Sequence, residues 1–551
     1  MSLRLAKTFR RQFGVAEAEL PEDLAAVRRM IAAVEPQRHA LGREPLQAGQ
    51  LQATWLINAA LGVVITRYCE RVDRQAFAVA SERLEGSLGR PAVDAALTAY
   101  ANAFDTLPPA TLDERVIGLQ ALLLTWLANV NPAMQPVREF FDDGTLRSAG
   151  YERLMTGLAA HFQERPPFGP DDQPLITMLR SPAIAVPDSL RGQLAYIRER
   201  WADLLGDLLD RLRLAMDVLA EEERSLWLRM HPLAGPAAGA AAAASVYDFR
   251  GIEGETEGFT ADHEWHPRVV LMARNAHVWL DQLSRRYGRD CHRLDQIPDE
   301  ELDRLAAWGI TGLWLIGIWQ RSRASERIKR MRGNPEAAAS AYALDDYRVA
   351  DELGGEEAWA NLSERALRRG LRLASDMVPN HMGVDSSWVM EHPEWFLSLA
   401  DPPYPGYTFN GPDLSEDGRA GVFLEDHYWD GTDAAVVFKR VDRGSGEARY
   451  IYHGNDGTSF PWNDTAQLDY IRAEVREQVI QTILSVARRF PIIRFDAAMV
   501  LARRHIRRLW WPEPGSGGGA IPSRAEHAMS PADFDRLMPA EFWREVVDRV
   551  K

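Results

Sequence analysis

In the stretch RLASDMVPNH, residues 372–381, a short apolar strand runs directly into polar side chains with no turn between them. A second stretch, IIRFDAA at residues 492–498, has the same form. Arg494 and Asp496 stand two residues apart, so on a strand their side chains point to the same face. In a confined site the arginine charge would favour the ionised carboxylate that a nucleophile requires.

The sequence around these stretches alternates between short β-type runs and amphipathic helices. Predicted strands are Val269–Met272 or His277–Leu280, then Gly309–Ile318, Arg372–Val378 and Ile492–Ala497, and predicted helices are Glu300–Trp308, Glu356–Arg369 and Asp469–Arg489. This alternation predicts an α/β fold of parallel strands, either a barrel or a doubly wound sheet. Residues 384–465 are rich in Gly, Pro, Asp and aromatics, which predicts an irregular insertion after the third strand.

The N-terminal part of the chain has a different pattern. Apolar residues recur at three- and four-residue spacing over residues 1–235, which predicts an all-α domain. A Pro-, Gly- and Ala-rich linker follows at 236–264, and the α/β region begins at 265. The helical domain carries no motif for chemistry, so we interpret it as an accessory or interaction domain.

Composition narrows the classes of partner and compartment. The 551 residues carry a formal net charge of −15, which disfavours binding to nucleic acid or anionic membranes. The strongest apolar runs, Ala59–Thr66 and Gly309–Trp319, are shorter than the roughly 20 residues of a membrane span. Two isolated cysteines and a start without a secretory pattern favour a cytoplasmic protein.

The two polar stretches resemble the first two signature regions of glycoside hydrolase family 13, the α-amylase family. The first region has the form D-x-V-x-N-H, which Asp376, Val378, Asn380 and His381 match, and the second has R-x-D-A, matched at Arg494, Asp496 and Ala497. The segments LAAWGITGLWL (305–315), YALDDY (342–347) and 463–475 also resemble parts of the family. The resemblance implies a (β/α)8 TIM barrel whose first half occupies residues 265–551.

Roles follow from the resemblance residue by residue. It implies that Asp496 is the nucleophile, that Arg494 positions it and that Asp376 is a structural partner. His381 would hydrogen-bond the sugar and Tyr342 would stack on it. Asn380 would lie near a structural calcium ion, although the chemistry requires no cofactor.

The sequence departs from the family in three places. Ile492 stands where the family often has Gly, and Met499 and Val500 stand where it often has Lys-His, which weakens the expectation of calcium. The general acid should follow a fifth strand, so we expect it beyond residue 551 and expect the chain to be a fragment, inactive alone. Glu541 is the one other candidate for the general acid, but we interpret it as an exposed helix residue.

The resulting hypothesis is a retaining enzyme that hydrolyses or transfers α-1,4-linked glucosyl units of glucans or malto-oligosaccharides. A transglycosylase or isomerase of maltose, trehalose or sucrose is a second interpretation. A non-catalytic carbohydrate-binding scaffold is a third, from a different class. The sequence does not predict the oligomeric state.

Overall fold

The computed structural model describes residues 3–109, 111–230, 265–433, 435–457, 460–516 and 524–550. The chain forms two compact units. The first comprises Met1–Leu226, Asp401–Gly406 and Pro514–Gly518, and the second comprises Trp227–Ala400, Tyr407–Glu513 and Gly519–Lys551. The predicted linker, 236–264, lies outside the described residues, as do residues 231–235 of the predicted helical domain.

The described N-terminal region is helical, as the apolar spacing predicts. Its α-helices are α1 (Lys7–Phe13), α2 (Leu24–Ala40), α3 (Ala48–Arg71), α4 (Ala76–Leu88), α5 (Arg90–Ala103), α6 (Leu112–Val130), α7 (Tyr151–Gln163), α8 (Leu175–Ala185), α9 (Leu190–Leu205) and α10 (Leu208–Met230). Local chemistry fixes where a helix begins: at α6, the Thr111 hydroxyl accepts from the Glu114 amide, and the Glu114 carboxylate accepts from the Thr111 amide.

Helix α3 is longer and more apolar than the run Ala59–Thr66 indicates. By length and composition it could cross a membrane, as could α6 together with the bent segment Pro132–Phe140 if the pair is counted as one span. However, 83% of the apolar window of α3 is buried within the protein. It packs against α2, α6, α8 and α9, so its apolar surface forms the core of the helical unit.

The second unit alternates strands and helices. Its strands are β1 (Leu271–Asn275), β2 (Gly312–Ile316), β3 (Trp319–Arg321), β4 (Leu344–Val349), β5 (Arg372–Met377), β6 (His381–Gly383), β7 (Ser398–Leu399), β8 (Ala420–Leu424), β9 (Val437–Asp442), β10 (Ala448–Tyr452), β11 (Thr465–Gln467) and β12 (Ile492–Phe495). Its helices are α11 (Ala276–Tyr287), α12 (Asp299–Ala307), α13 (Arg323–Met331), α14 (Gly355–Leu367), α15 (Ser387–Glu391), α16 (Asp426–Asp430), α17 (Ala473–Arg489), α18 (Arg503–Trp510), α19 (Pro531–Leu537) and α20 (Phe542–Val550).

A parallel sheet with strand order β1-β2-β5-β12 positions the polar stretches. Helices α12, α14 and α17 each lead into one of its strands, as parallel pairing requires. Because the carboxyl ends of all four strands lie at one edge, the residues that follow β5 and β12 come together there.

Of the two segments predicted as the first strand, only one forms a strand. It is β1, which overlaps Val269–Met272, whereas His277–Leu280 lies in α11. The Asn275 side chain accepts a hydrogen bond from the Val278 amide and starts the helix immediately after β1. Apolar residues at helical spacing in α11 therefore belong to a core-facing helix.

Residues 384–465 are more regular than the sequence predicts. Strands β7-β10-β9-β8 form an antiparallel sheet there. The turn between β9 and β10 uses the residues that indicated irregularity: the Asp442 carboxylate accepts from the Gly444 and Ser445 amides, and Gly446 has a φ of 77°. In this hairpin the Gly and Asp residues thus form the turn between two short strands.

Candidate active site

One guanidinium nitrogen links two carboxylates at the carboxyl ends of β5 and β12. Arg494 Nη1 lies 2.7 Å from Asp496 Oδ1 and 3.2 Å from Asp376 Oδ1. Arg494 and Asp376 are direct partners in the parallel register, which brings their side chains together. The Asp496 side chain is 22% exposed and that of Asp376 only 2%. Asp496 is therefore the carboxylate that a ligand can reach.

The backbone turns sharply just after Asp496. Its amide donates to the Met377 carbonyl at 2.8 Å, and the next residue, Ala497, adopts a left-handed conformation with a φ of 52°. For a residue other than glycine this costs roughly 1–2 kcal/mol. The turn ends the strand and leaves Asp496 at its tip.

Trp314, on β2, joins this cluster and was missed by the sequence analysis. Its indole N–H donates to Asp376 Oδ2 at 3.1 Å, and the Arg494 guanidinium carbon lies 5.6 Å from its ring centroid. The register pairs Trp314 with Ala374, which shares a strand face with Asp376. That register could have indicated the contact had the pairing of β2 with β5 been known.

The surroundings of Asp376 and Tyr342 shift the pKa of both groups. The Arg494 guanidinium lies 5.5 Å from the Tyr342 ring centroid. Burial raises the pKa of Asp376, and the hydrogen bonds from Trp314 and Arg494 oppose that rise. Burial and the nearby Asp376 charge also raise the pKa of Tyr342, so its phenol is neutral.

His381, predicted to contact the sugar, is buried with protein partners on both ring nitrogens. Nε2 lies 3.2 Å from the Tyr342 carbonyl oxygen, and Nδ1 lies 3.2 Å from Asn380 Nδ2. A neutral ring that donates through Nε2 and accepts through Nδ1 satisfies both contacts, and burial lowers the pKa of His381 accordingly. In this arrangement His381 fixes the backbone at Tyr342, and the Trp462 ring packs against it at 5.0 Å.

The surroundings of Asn380 do not fit a calcium ion. Its carboxamide pairs reciprocally with that of Gln467, at 3.1 Å from Gln467 Nε2 to Asn380 Oδ1 and 3.3 Å for the return bond. Across the described residues, no group of three or more His, Cys, Asp or Glu side chains is placed to hold a metal ion. Calcium prefers several carboxylate and carbonyl oxygens, so we assign it no step.

Glu541, the alternative acid, has a structural contact. Its two carboxylate oxygens accept hydrogen bonds from the Arg503 amide, at 3.1 and 3.2 Å, at the start of α18. Negative charge at this position also stabilises the helix dipole. Glu541 is exposed, as expected, but it lies one residue before α20 and not within a helix.

Polar side chains gathered at the carboxyl ends of parallel βα strands occupy the usual position of an active site in an α/β enzyme domain. Residues 296–429 match the family model described as "Alpha amylase, catalytic domain". This match supports the resemblance of the segment to the α-amylase family, glycoside hydrolase family 13, and accords with a TIM-barrel-like α/β fold. The matched segment contains Tyr342, Asp376, Asn380 and His381, whereas Arg494 and Asp496 lie beyond it.

Solved structures of glycosidases also resemble the chain. A maltogenic alpha-amylase from Thermotoga neapolitana is 19% identical, with 44% of this chain and 42% of that chain covered and a TM-score of 0.26. An alpha-amylase from Lactobacillus plantarum is 22% identical, with 39% of this chain and 37% of that chain covered and a TM-score of 0.25. A trehalose-6-phosphate hydrolase from Bacillus licheniformis is 16% identical, with 52% of this chain and 42% of that chain covered and a TM-score of 0.31. The similarity thus spans less than half the length of each of these three enzymes.

Proposed function

We propose that the protein acts on α-1,4-linked glucans or malto-oligosaccharides with retention of configuration, and that Asp496 is its nucleophile. The observation that carries the proposal is the ion pair of Arg494 with the accessible Asp496 carboxylate at the end of β12. Glycoside hydrolase chemistry itself accords with the family of residues 296–429.

The cluster supplies a nucleophile and the groups that hold it. The Asp496 carboxylate would attack the anomeric carbon as the bond to the leaving oxygen breaks, giving a glycosyl ester. Arg494 would orient the carboxylate, while Asp376 and Trp314 hold the guanidinium in place. Tyr342 offers its ring to the bound sugar.

A retaining mechanism needs a second carboxyl group about 5–5.5 Å from the nucleophile to act as acid and then base. Asp376 is unsuited to that role, because it is buried and both carboxylate oxygens accept hydrogen bonds. We therefore leave the acid/base unassigned. Whether water or a sugar hydroxyl then cleaves the ester decides between hydrolysis and transfer.

We also propose that strands β1, β2, β5 and β12 are the first four strands of an eight-stranded barrel. Residues 384–465 would be its insertion after the third strand. The parallel order β1-β2-β5-β12 supports this assignment, because sequential strands are neighbours in such barrels. A cytoplasmic location is part of the same proposal, and it rests on the cysteine usage.

The nucleophile can be tested without the acid by using 5-fluoro-α-D-glucosyl fluoride, whose fluoride leaves without protonation. The whole chain is incubated with this reagent, digested and analysed by mass spectrometry. We expect one covalent glycosyl adduct on the peptide that contains Asp496, and none in Asp496→Asn. Asp303→Asn, at a surface carboxylate paired with Arg369, is the matched control and should be labelled like the wild type.

Two results would count against the proposal. Labelling of another carboxylate, with Asp496→Asn labelled normally, would show that the nucleophile is misassigned. Binding of maltoheptaose without labelling or turnover, and unchanged in Asp496→Ala, would favour the carbohydrate-binding scaffold.

A further inference from the structure

The helical unit contains a cavity of about 170 Å³ among α3, α6, α8 and α9. Most of its wall is apolar, with side chains that include Ile57, Leu61, Leu127, Met134, Leu179 and Ile184. Three carboxamides also line it, those of Asn58, Asn131 and Gln193. An apolar cavity with a few convergent polar groups is the usual form of a small-molecule site.

Asn58 is the polar group that the surrounding protein leaves unsatisfied. Its side chain is 1% exposed, and among the described residues neither its amide nitrogen nor its amide oxygen has a hydrogen-bond partner. A buried carboxamide without partners is unfavourable unless something in the cavity pairs with it. The arrangement therefore indicates a ligand that both donates to and accepts from Asn58.

The other two carboxamides show what such pairing looks like. Asn131 Nδ2 donates to Gln193 Oε1 at 2.7 Å, and Gln193 Nε2 donates to Asn131 Oδ1 at 2.9 Å. Gln193 Nε2 also donates to the Val186 carbonyl. Asn131 and Gln193 are thus paired within the protein. Asn58 is the carboxamide of the three whose N–H and C=O groups a ligand can pair with.

The position of the cavity in the fold favours a neutral ligand. Its wall includes residues from the last turns of α6 and α8, such as Val130 and Ala183. Helix carboxyl ends carry partial negative charge and disfavour anions. Arg180 also lines the cavity, but the residue is exposed and its guanidinium lies 5.5 Å from the Trp126 ring centroid.

We propose that this cavity binds a small neutral molecule, apolar over most of its surface, whose single carboxamide or lactam edge pairs with Asn58. A monosaccharide fits the chemistry poorly, because its several hydroxyls would be buried against apolar side chains with one donor–acceptor edge available. The site is independent of the carbohydrate chemistry assigned to the second unit.

Titration calorimetry on the whole chain tests the proposal with isovaleramide as the probe. We expect saturable binding at one site, weakened at least about tenfold by Asn58→Leu because two hydrogen bonds are lost. N,N-dimethylisovaleramide, which has no N–H, and the anion isovalerate should both bind more weakly than isovaleramide. Gln52→Leu is the matched control: Gln52 is a buried carboxamide on the same helix whose oxygen has no hydrogen-bond partner in the described part of the chain, and it does not line the cavity.

A second variant keeps the test decisive if Asn58→Leu folds poorly. Ala183→Leu fills part of the cavity and leaves Asn58 intact, so it should also weaken binding. Equal affinity of the wild type, Asn58→Leu and Ala183→Leu would overturn the proposal, as would the absence of saturable binding to the wild type. Stronger binding of isovalerate than of isovaleramide would also overturn it.

Discussion

At the scale of single residues, the active-site candidate depends on how Arg494 is held. One of its nitrogens contacts Asp496 and Asp376, and its planar face lies near the rings of Trp314 and Tyr342. A lysine has one point charge and no planar face, so it could not reproduce this set of contacts. The accessible Asp496 carboxylate is thus oriented by Arg494, which Asp376 contacts in turn.

We predict that Trp314→Phe slows glycosyl transfer to Asp496 about tenfold, the effect of losing one hydrogen bond to a charged group. The ring stays beside Arg494, but the indole N–H that stabilises the Asp376 carboxylate is gone. Because that hydrogen bond lowers the pKa of Asp376, the acidic limb of the pH profile should move to higher pH. The measurement is the rate of fluoride release from α-glucosyl fluoride against pH.

The control for this prediction is Trp308→Phe, at an indole that is 57% exposed at the end of α12. It should leave both the rate and the pH profile unchanged. A Trp314→Phe enzyme with a wild-type profile would show that the indole N–H does not act on Asp376.

At the scale of secondary structure elements, a buried tyrosine holds the end of β5. The Val378 amide donates to the Tyr347 hydroxyl, and that hydroxyl donates to the Val378 carbonyl, both at 2.9 Å. These bonds replace sheet pairing where the strand ends and the backbone passes from Asp376 to Asn380. Tyr347 therefore positions the segment that carries the buried half of the cluster.

We predict that Tyr347→Phe lowers the free energy of unfolding by about 1–3 kcal/mol, because it leaves two buried backbone groups unpaired. Labelling of Asp496 by the fluorosugar should slow as well. Urea titration measures the first effect and mass spectrometry the second. Tyr287→Phe removes a hydroxyl bonded to Glu301 elsewhere in the unit and should leave labelling unchanged. Labelling that also stays normal in Tyr347→Phe would contradict the positioning role.

The amino-acid sequence predicted some of these elements and not others. Apolar runs located β2, β5 and β12, and the geometry of parallel strands then predicted that Asp376, Arg494 and Asp496 converge. The antiparallel sheet was missed because its short strands lie among many turn residues. The orientation of His381 depends on the Tyr342 carbonyl oxygen, a tertiary contact that no local pattern records.

At the scale of the whole molecule, two buried groups in the second unit give stability opposite dependences on pH. Burial lowers the pKa of His453 from 6.5 to about 4, so acidification below pH 6.5 stabilises the unfolded chain, which binds the proton more readily. Burial raises the pKa of Asp469 from 3.8 to about 6, so over nearly the same range the folded chain binds more protons. Each group alone shifts stability by about 3 kcal/mol, in opposite directions.

We therefore predict that the two effects largely cancel in the wild type and that single variants reveal them. In Asp469→Asn, the free energy of unfolding should fall by about 2 kcal/mol more than in the wild type between pH 6.5 and pH 4. In His453→Asn, the free energy of unfolding should fall by a similar amount less than in the wild type over this range. The asparagine amide can still donate to the Thr465 carbonyl, but it does not titrate. Urea titrations across this range measure both, and the double variant should return to the wild-type slope. Single variants that both parallel the wild type would show that neither group changes its protonation on unfolding.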